Sequence, residues 1–236
     1  MTRFCWKIRN ITRSSDPTLS ESQPNAPQGA IVSDTTTRPT QQLPLRPDLA
    51  LIAQWIPQGA RVLDLGCGDG ALLDYLSRER GCTGYGVEID DARVLACVRR
   101  GVDVIQRDIE AGLGMFGAGA FDVVVLSMAL QATHQTEKVL AEMSQVAAQG
   151  IVSIPNFGHW YHAWSILMGR MPVSREMPYQ WYDTPNLHLA TVRDFEEFLA
   201  RLELSIIRRA FLANGQPIAR LPGLRATQAI YSFRRG

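Results

Sequence analysis

The chain has 236 residues, enough for one sizeable domain with a substantial core. Hydrophobic residues make up 46% and charged residues 20%, the balance of an ordinary globular protein, and the longest apolar runs are far too short to span a bilayer. A net charge of +1 leaves no broad cationic footprint for nucleic acid or an anionic membrane. The four cysteines, Cys5, Cys67, Cys82 and Cys97, form no CxxC pair and no metal-ligand spacing, which reads as reduced thiols in a cytoplasmic protein.

Residues 1–44 differ from the rest. Residues 14–44 are rich in Ser, Thr, Pro and Gln and poor in large apolar groups, so they are expected to be disordered. Ahead of them, MTRFCWKIRNITR is basic but lacks the apolar core of a signal peptide. It reads as a dispensable leader or an upstream mis-assigned start, in preference to a transit-like or interaction tail. The folded domain is expected over 45–236.

From Arg46 the punctuation is regular. RPDLALIAQWI places Leu49, Ile52, Ala53 and Ile56 at helical spacing, with Pro47 suited to the first turn. RVLDL is a short buried strand, ALLDYLSRER a helix closed by Gly81, and TGYGVEI a second strand. DDARVLACVRR is a helix with Asp90 or Asp91 as N-cap and Gly101 as its stop. VDVIQ and FDVVVLS are the third and fourth strands, TEKVLAEMSQVAAQ a helix and GIVSIP a fifth strand. WYHAWSILMG is helical and MPVSREMPYQWYDTPNLHLA a long loop. TVRDFEEFLARL is a helix opened by a Thr191–Asp194 capping box. ELSIIRRAFLA and ATQAIYSFR follow as two strands with a Gly/Pro-containing link, and are expected to pair antiparallel. Strands alternating with helices, and apolar on both faces, predict a doubly wound parallel sheet.

The stretch RVLDLGCGDG, residues 61–70, ends the first strand in a glycine turn that carries two aspartates. Gly66, Gly68 and Ala71 fit the loose dinucleotide fingerprint, and Glu88 ends the second strand where an acidic residue can hold a ribose diol. Spacing alone leaves a dinucleotide such as NAD open. The carboxylates favour another ligand. A carboxylate about 4 Å from a phosphate oxygen costs roughly 4 kcal/mol at an effective dielectric of ~20, more than the roughly 0.3–2 kcal/mol a helix N-terminus offers an anion. No lysine or arginine stands in the turn itself. Asp64 and Asp69 therefore suit a cationic ligand, and S-adenosylmethionine carries an ammonium and a sulfonium beside its adenosine. Asp69 is also placed to cap the following helix. Asp108, after the third strand, can accept from an adenine amino group or cap its loop, with Ile89 and Ile109 flanking the ring. Ser127 ends the fourth strand on the floor of the same crevice.

VLDLGCGDG, GYGVEID, QRDIE and FDVVVLS, in this order, resemble the class I S-adenosylmethionine-dependent methyltransferase superfamily. That resemblance implies a seven-stranded sheet of order 3-2-1-4-5-7-6 with strand seven antiparallel. LQATHQTEKVL, GIVSIPNFGHW and GRMPVSREMPYQWYDTPNLHLATVRDF resemble, more closely, the methionine biosynthesis protein MetW family. The similarity covers nearly all of residues 46–212. It implies a role in methionine synthesis alongside homoserine O-acyltransferase, as an accessory or regulatory subunit that binds S-adenosylmethionine.

Catalytic groups are sparse. Amino-methylating enzymes often carry an Asn/Asp-Pro-Pro-aromatic turn after strand four, where this chain has LSMALQATHQ. His134 is a candidate base near the crevice mouth, or a solvated loop residue. His159, His162 and His188 invite a zinc reading, but the segment has no cysteine and its aromatic neighbours suggest packing. Residues 156–188 hold Trp160, Trp164 and Trp181 with Met168, Met171 and Met177, a mixture suited to a partner surface, a lid or a core-covering loop. Asp183, Asn186 and His188 are its candidate polar contacts. An active methyltransferase on a small molecule is the alternative to the accessory role.

Overall fold

The computed structural model describes residues 45–236; the expectation of a disordered leader falls on 1–44, outside the described residues. Its first element is helix α1 (Pro47–Trp55), followed by β1 (Arg61–Leu65), α2 (Ala71–Arg80), β2 (Thr83–Glu88), α3 (Asp91–Arg100) and β3 (Val104–Gln106). Then come β4 (Phe121–Ser127), α4 (Thr136–Val146), β5 (Ala147–Pro155), α5 (Trp160–Leu167) and α6 (Val192–Arg201). The chain closes with β6 (Leu204–Ala213), β7 (Gln216–Ile218), the single turn α7 (Pro222–Arg225) and β8 (Gln228–Arg235).

The strands form one sheet in the order β3-β2-β1-β4-β5-β8-β6-β7. β1 to β5 run parallel, and β8 lies antiparallel between β5 and β6. This is the expected seven-stranded order with one added edge strand. The extra strand arises at Asn214-Gly215, whose φ values of 50° and 81° suit a tight hairpin turn pairing Ala213 with Gln216. A second difference lies at the α4–β5 junction. Ala147-Ala148-Gln149 favours a helix by propensity, yet Ala147 pairs with Phe121 and Gln149 with Val123, so ladder formation ends α4 at Val146.

Alternate strand residues feed two cores. Phe121, Val124 and Leu126 of β4, with Leu63 and Leu65 of β1, pack against α4 and α6. Val123, Val125 and Val62 pack against α1 and α2 on the opposite face. Period-two alternation therefore points Asp64, like Val62, toward the α1 side.

The caps follow the sequence. Asp90 accepts from Arg93 N–H at 2.9 Å and opens α3, while Thr191 accepts from Asp194 N–H at 3.2 Å and donates to the Asp194 carboxylate at 2.7 Å. Asn156, fully buried at the end of β5, donates to the carbonyls of Gly223 and Ala226 at 2.9 and 2.8 Å. Its amide oxygen accepts from Gly158 N–H at 3.0 Å and Val192 N–H at 3.3 Å. One side chain thus ties together the ends of β5, α6 and α7.

Candidate functional site

The turn after β1 opens the site. Gly66, Gly68 and Gly70 have φ of 67°, 60° and 75°, a left-handed run that lets the chain reverse into α2. A Cβ at Gly66 would stand 3.2 Å from the Ala129 methyl and 3.7 Å from Ile109, so the missing side chain leaves a cradle between them. The turn is held to the sheet by Gly66 and Cys67 N–H, both donating to Val87 C=O. Cys67 and Cys97 pack behind it with sulfurs 3.8 Å apart, and burial pushes the Cys67 thiol well above its usual range and the Cys97 thiol up as well. That environment makes them inert packing groups.

Asp64 is 3% exposed. Burial raises its carboxyl to about 7, the neighbouring Arg46 guanidinium pulls it back, and Glu88 pushes it further up. No hydrogen bond among the described residues offsets the desolvation. A buried carboxyl in this state gains most from a donor that arrives with positive charge.

Glu88 ends β2, also buried. It accepts from Gly68 N–H at 2.9 Å through one oxygen and from Ile89 and Asp90 N–H at 2.9 and 3.1 Å through the other. It therefore braces the glycine turn as well as standing where a diol would be held, with Arg93 3.8 Å away. Ile109, half-buried, borders the Gly66 cradle; Ile89 is 62% exposed at the rim. Asp108 accepts from Glu110 N–H at 2.8 Å, capping a one-turn helix. Asp69 accepts from Ala71 N–H at 3.3 Å and pairs with Arg100 at 2.6 Å.

The two arginines change the charge balance inferred along the chain. No cation stands in the turn, but folding brings Arg100 to Asp69 and Arg46 to the Asp64 neighbourhood. The crevice's negative character thus rests on Asp64 and Glu88, with Asp69 already paired. Arg46 also grips Asp48 through two hydrogen bonds of 3.2 and 2.9 Å, although Asp48 is buried. The Asp48 carboxylate accepts from Ser127 Oγ at 3.2 Å, and Ser127 and Ser153 Oγ lie 3.0 Å apart. Ser153 accepts in turn from Met128 N–H at 3.1 Å, and Met128 itself has φ of 54°. This network, joining the start of α1 to the ends of β4 and β5, is the main feature near the crevice that reading the sequence missed. Its one local signal is the Arg-Pro-Asp run ahead of an apolar helix.

The remaining candidates lie elsewhere. His134 and His188 border a groove of about 880 Å³ between α4 and α6, whose floor includes Leu130, Ile154 and Phe195; none of Asp64, Gly66, Glu88 and Ser127 lines it. His162 is buried with both ring nitrogens unpartnered among the described residues, and its ring stacks on Phe157 with centroids 5.5 Å apart. Burial lowers the pKa of His162, and the adjoining Asn156 and Phe157 backbone only tempers this. Among the described residues no group of three His, Cys, Asp or Glu side chains is arranged to hold a metal ion.

The family described as methionine biosynthesis protein MetW matches residues 46–232. The chain belongs to the MetW family. A curated relative, the bifunctional methionine biosynthesis protein MetXA/MetW of Rhodopirellula baltica, is 34% identical over 218 residues. The match takes in 86% of this chain and 35% of that relative, so the MetW chain spans about a third of the fused protein. Among solved structures, an S-adenosylmethionine-dependent methyltransferase from Mesorhizobium loti superposes with a TM-score of 0.60 at 19% identity, over 80% of this chain and 96% of that one. A TehB-like methyltransferase from Corynebacterium glutamicum gives 0.57 at 16% identity, over 82% and 89%. The fold of this MetW chain is that of S-adenosylmethionine-dependent methyltransferases, and among its described residues no helix is long and apolar enough to cross a membrane.

Proposed function

We propose that this MetW chain binds S-adenosylmethionine in the β1–β2–β4 crevice and acts in the cytoplasm as an accessory or regulatory subunit of homoserine O-acyltransferase. The fused relative carries the partnership: its name joins MetXA, which we read as the acyltransferase, to MetW. The crevice residues support the ligand. Asp64 accepts the ammonium, Arg46 faces the carboxylate of the same amino acid moiety, Glu88 holds the ribose hydroxyls, and Ile89 and Ile109 flank the adenine. Such a subunit can report the level of a compound made from the pathway's product.

Among the described residues, the titratable groups of the crevice are already assigned to holding the ligand, which leaves none free as a base for an acceptor. His134 borders the α4–α6 groove, and the Ser127–Asp48 network is tied up holding α1. The test is the rate of homoserine acylation by the acyltransferase alone and with this chain, each with and without S-adenosylmethionine. The reading requires a changed rate in the pair; identical rates under all four conditions end it. An active methyltransferase is the second reading, favoured by the neighbours that share the fold over nearly their whole length. It requires turnover to S-adenosylhomocysteine with a small-molecule acceptor.

A further inference from the structure

Helix α5 has the wrong surface for a chain that stands alone. Its sequence, WYHAWSIL, is apolar almost all round, and His162 is its one buried residue. A helix apolar on every side belongs inside a protein, against another surface. Here Trp160 is 54% exposed, Trp164 57% and Leu167 75%. The strap that follows continues the pattern. Trp181 and Tyr182, packed edge to face with centroids 5.6 Å apart, are 72% and 71% exposed.

The strap is nevertheless anchored. Met177 is buried, Ser174 N–H donates to Met177 C=O, and Leu187 and His188 N–H both donate to Gln131 C=O. Pro155, just before α5, and His188 to Ala190, at the end of the strap, line the α4–α6 groove. The two ends of the α5–strap segment therefore reach the groove.

We infer that α5 and the 168–190 strap form the docking face for the acyltransferase, resting on the accessory-subunit role proposed above. Three observations select this occupant. A relative is built as one polypeptide from the two parts, which holds them at high effective concentration without a strong charge attraction. Residues 160–190 carry Arg170 and Arg175 against Glu176 and Asp183, with no net charge among these groups, as suits a standing apolar contact. The exposed side chains of α5 and the strap are Trp, Tyr, Met and Leu, close together along the chain and of the composition of an interface centre.

The test is binding of the full chain to homoserine O-acyltransferase of the same organism, followed by size exclusion with light scattering and by calorimetry. The double variant Trp164→Glu/Leu167→Asp is expected to weaken binding at least 100-fold, while its affinity for S-adenosylmethionine and its melting temperature stay within error of wild type. Trp181→Ala/Tyr182→Ala, in exposed strap positions free of any folding role, is expected to weaken it at least tenfold. Tyr85→Glu on β2 serves as the distant control and leaves binding unchanged. Wild type binding as tightly as both double variants would overturn the docking face and leave the accessory role standing. Wild type failing to bind the acyltransferase at all removes that role and this face with it. If the variants only split a homodimer, the face belongs to a second copy and the inference is wrong.

Discussion

In the proposed reading Asp64 sets the sign of the site, because the protein alone does not favour its charge. Its carboxyl, raised by burial from 3.8 to about 7, holds a proton in the folded chain that the unfolded chain has released across that range. Its own contribution to stability is therefore full below pH 3.8 and is lost as the pH rises to about 7. A bound ammonium reverses the preference, since it selects the carboxylate. Below about pH 7, binding S-adenosylmethionine must then release a proton, and affinity falls toward tenfold per pH unit. Calorimetric titrations at pH 6, 7 and 8 measure this slope, and a flat profile would remove Asp64 from the ligand site. Asp64→Asn keeps the shape and removes the charge. Losing one charge-assisted hydrogen bond worth about 1.5–3 kcal/mol predicts roughly 10–150-fold weaker binding. The variant's residual affinity should no longer vary over that pH range, and its stability at pH 7 should rise, because the neutral amide has no charge to give up on burial.

At the scale of elements, the segment after β5 is organised by Asn156, whose two donors and two acceptor bonds are all used within the protein. Asn156→Ala removes the partner of two carbonyls and two N–H groups, of which the Ala226 carbonyl and the Val192 N–H belong to buried residues. At about 1–3 kcal/mol per unsatisfied group, partly relieved by relaxation, the cost is about 3 kcal/mol or more. Thr191→Ala removes a cap whose helix end faces water, and costs about 1 kcal/mol. Urea unfolding of both variants tests the ranking; a smaller loss for Asn156→Ala than for Thr191→Ala would show that water replaces the amide. The same hub constrains the Asn156-Phe157-Gly158 run. A Cβ at Gly158 would lie 3.1 Å from both the Asn156 amide oxygen and the Gly223 carbonyl. The capping box at Thr191 could be read from four consecutive residues, whereas the role of Asn156 could not, since its acceptors lie 67 and 70 residues away.

That contrast holds for the molecule as a whole. The doubly wound parallel sheet was legible because apolar strands and capped helices alternate locally, its order came with the resemblance to class I methyltransferases, and Asp64, Gly66 and Glu88 stood out as candidates because one turn and one strand end carry them. Arg46, Asp48, Ser127 and Ser153 meet only after folding, across separations of 79 residues for Asp48–Ser127 and 26 for Ser127–Ser153. The edge strand β7 was hidden by Pro217 within a three-residue strand, although Asn214-Gly215 announced the turn. The glycine spacing left NAD open, and the proposed reading predicts that the two ligands act differently on the whole protein. A ligand bound only by the folded state adds about 2.7 kcal/mol at a hundredfold excess over its Kd. At about 2–4 °C per kcal/mol for a domain of this size, the melting temperature should rise by about 5–10 °C with S-adenosylmethionine. NAD, whose diphosphate would face Asp64 and Glu88, should leave it unchanged at the same concentration. Scanning fluorimetry at pH 8, where Asp64 is ionised, gives the clearest comparison. A larger shift with NAD than with S-adenosylmethionine would overturn the electrostatic assignment of the crevice, since the two carboxylates would then be tolerating an anion.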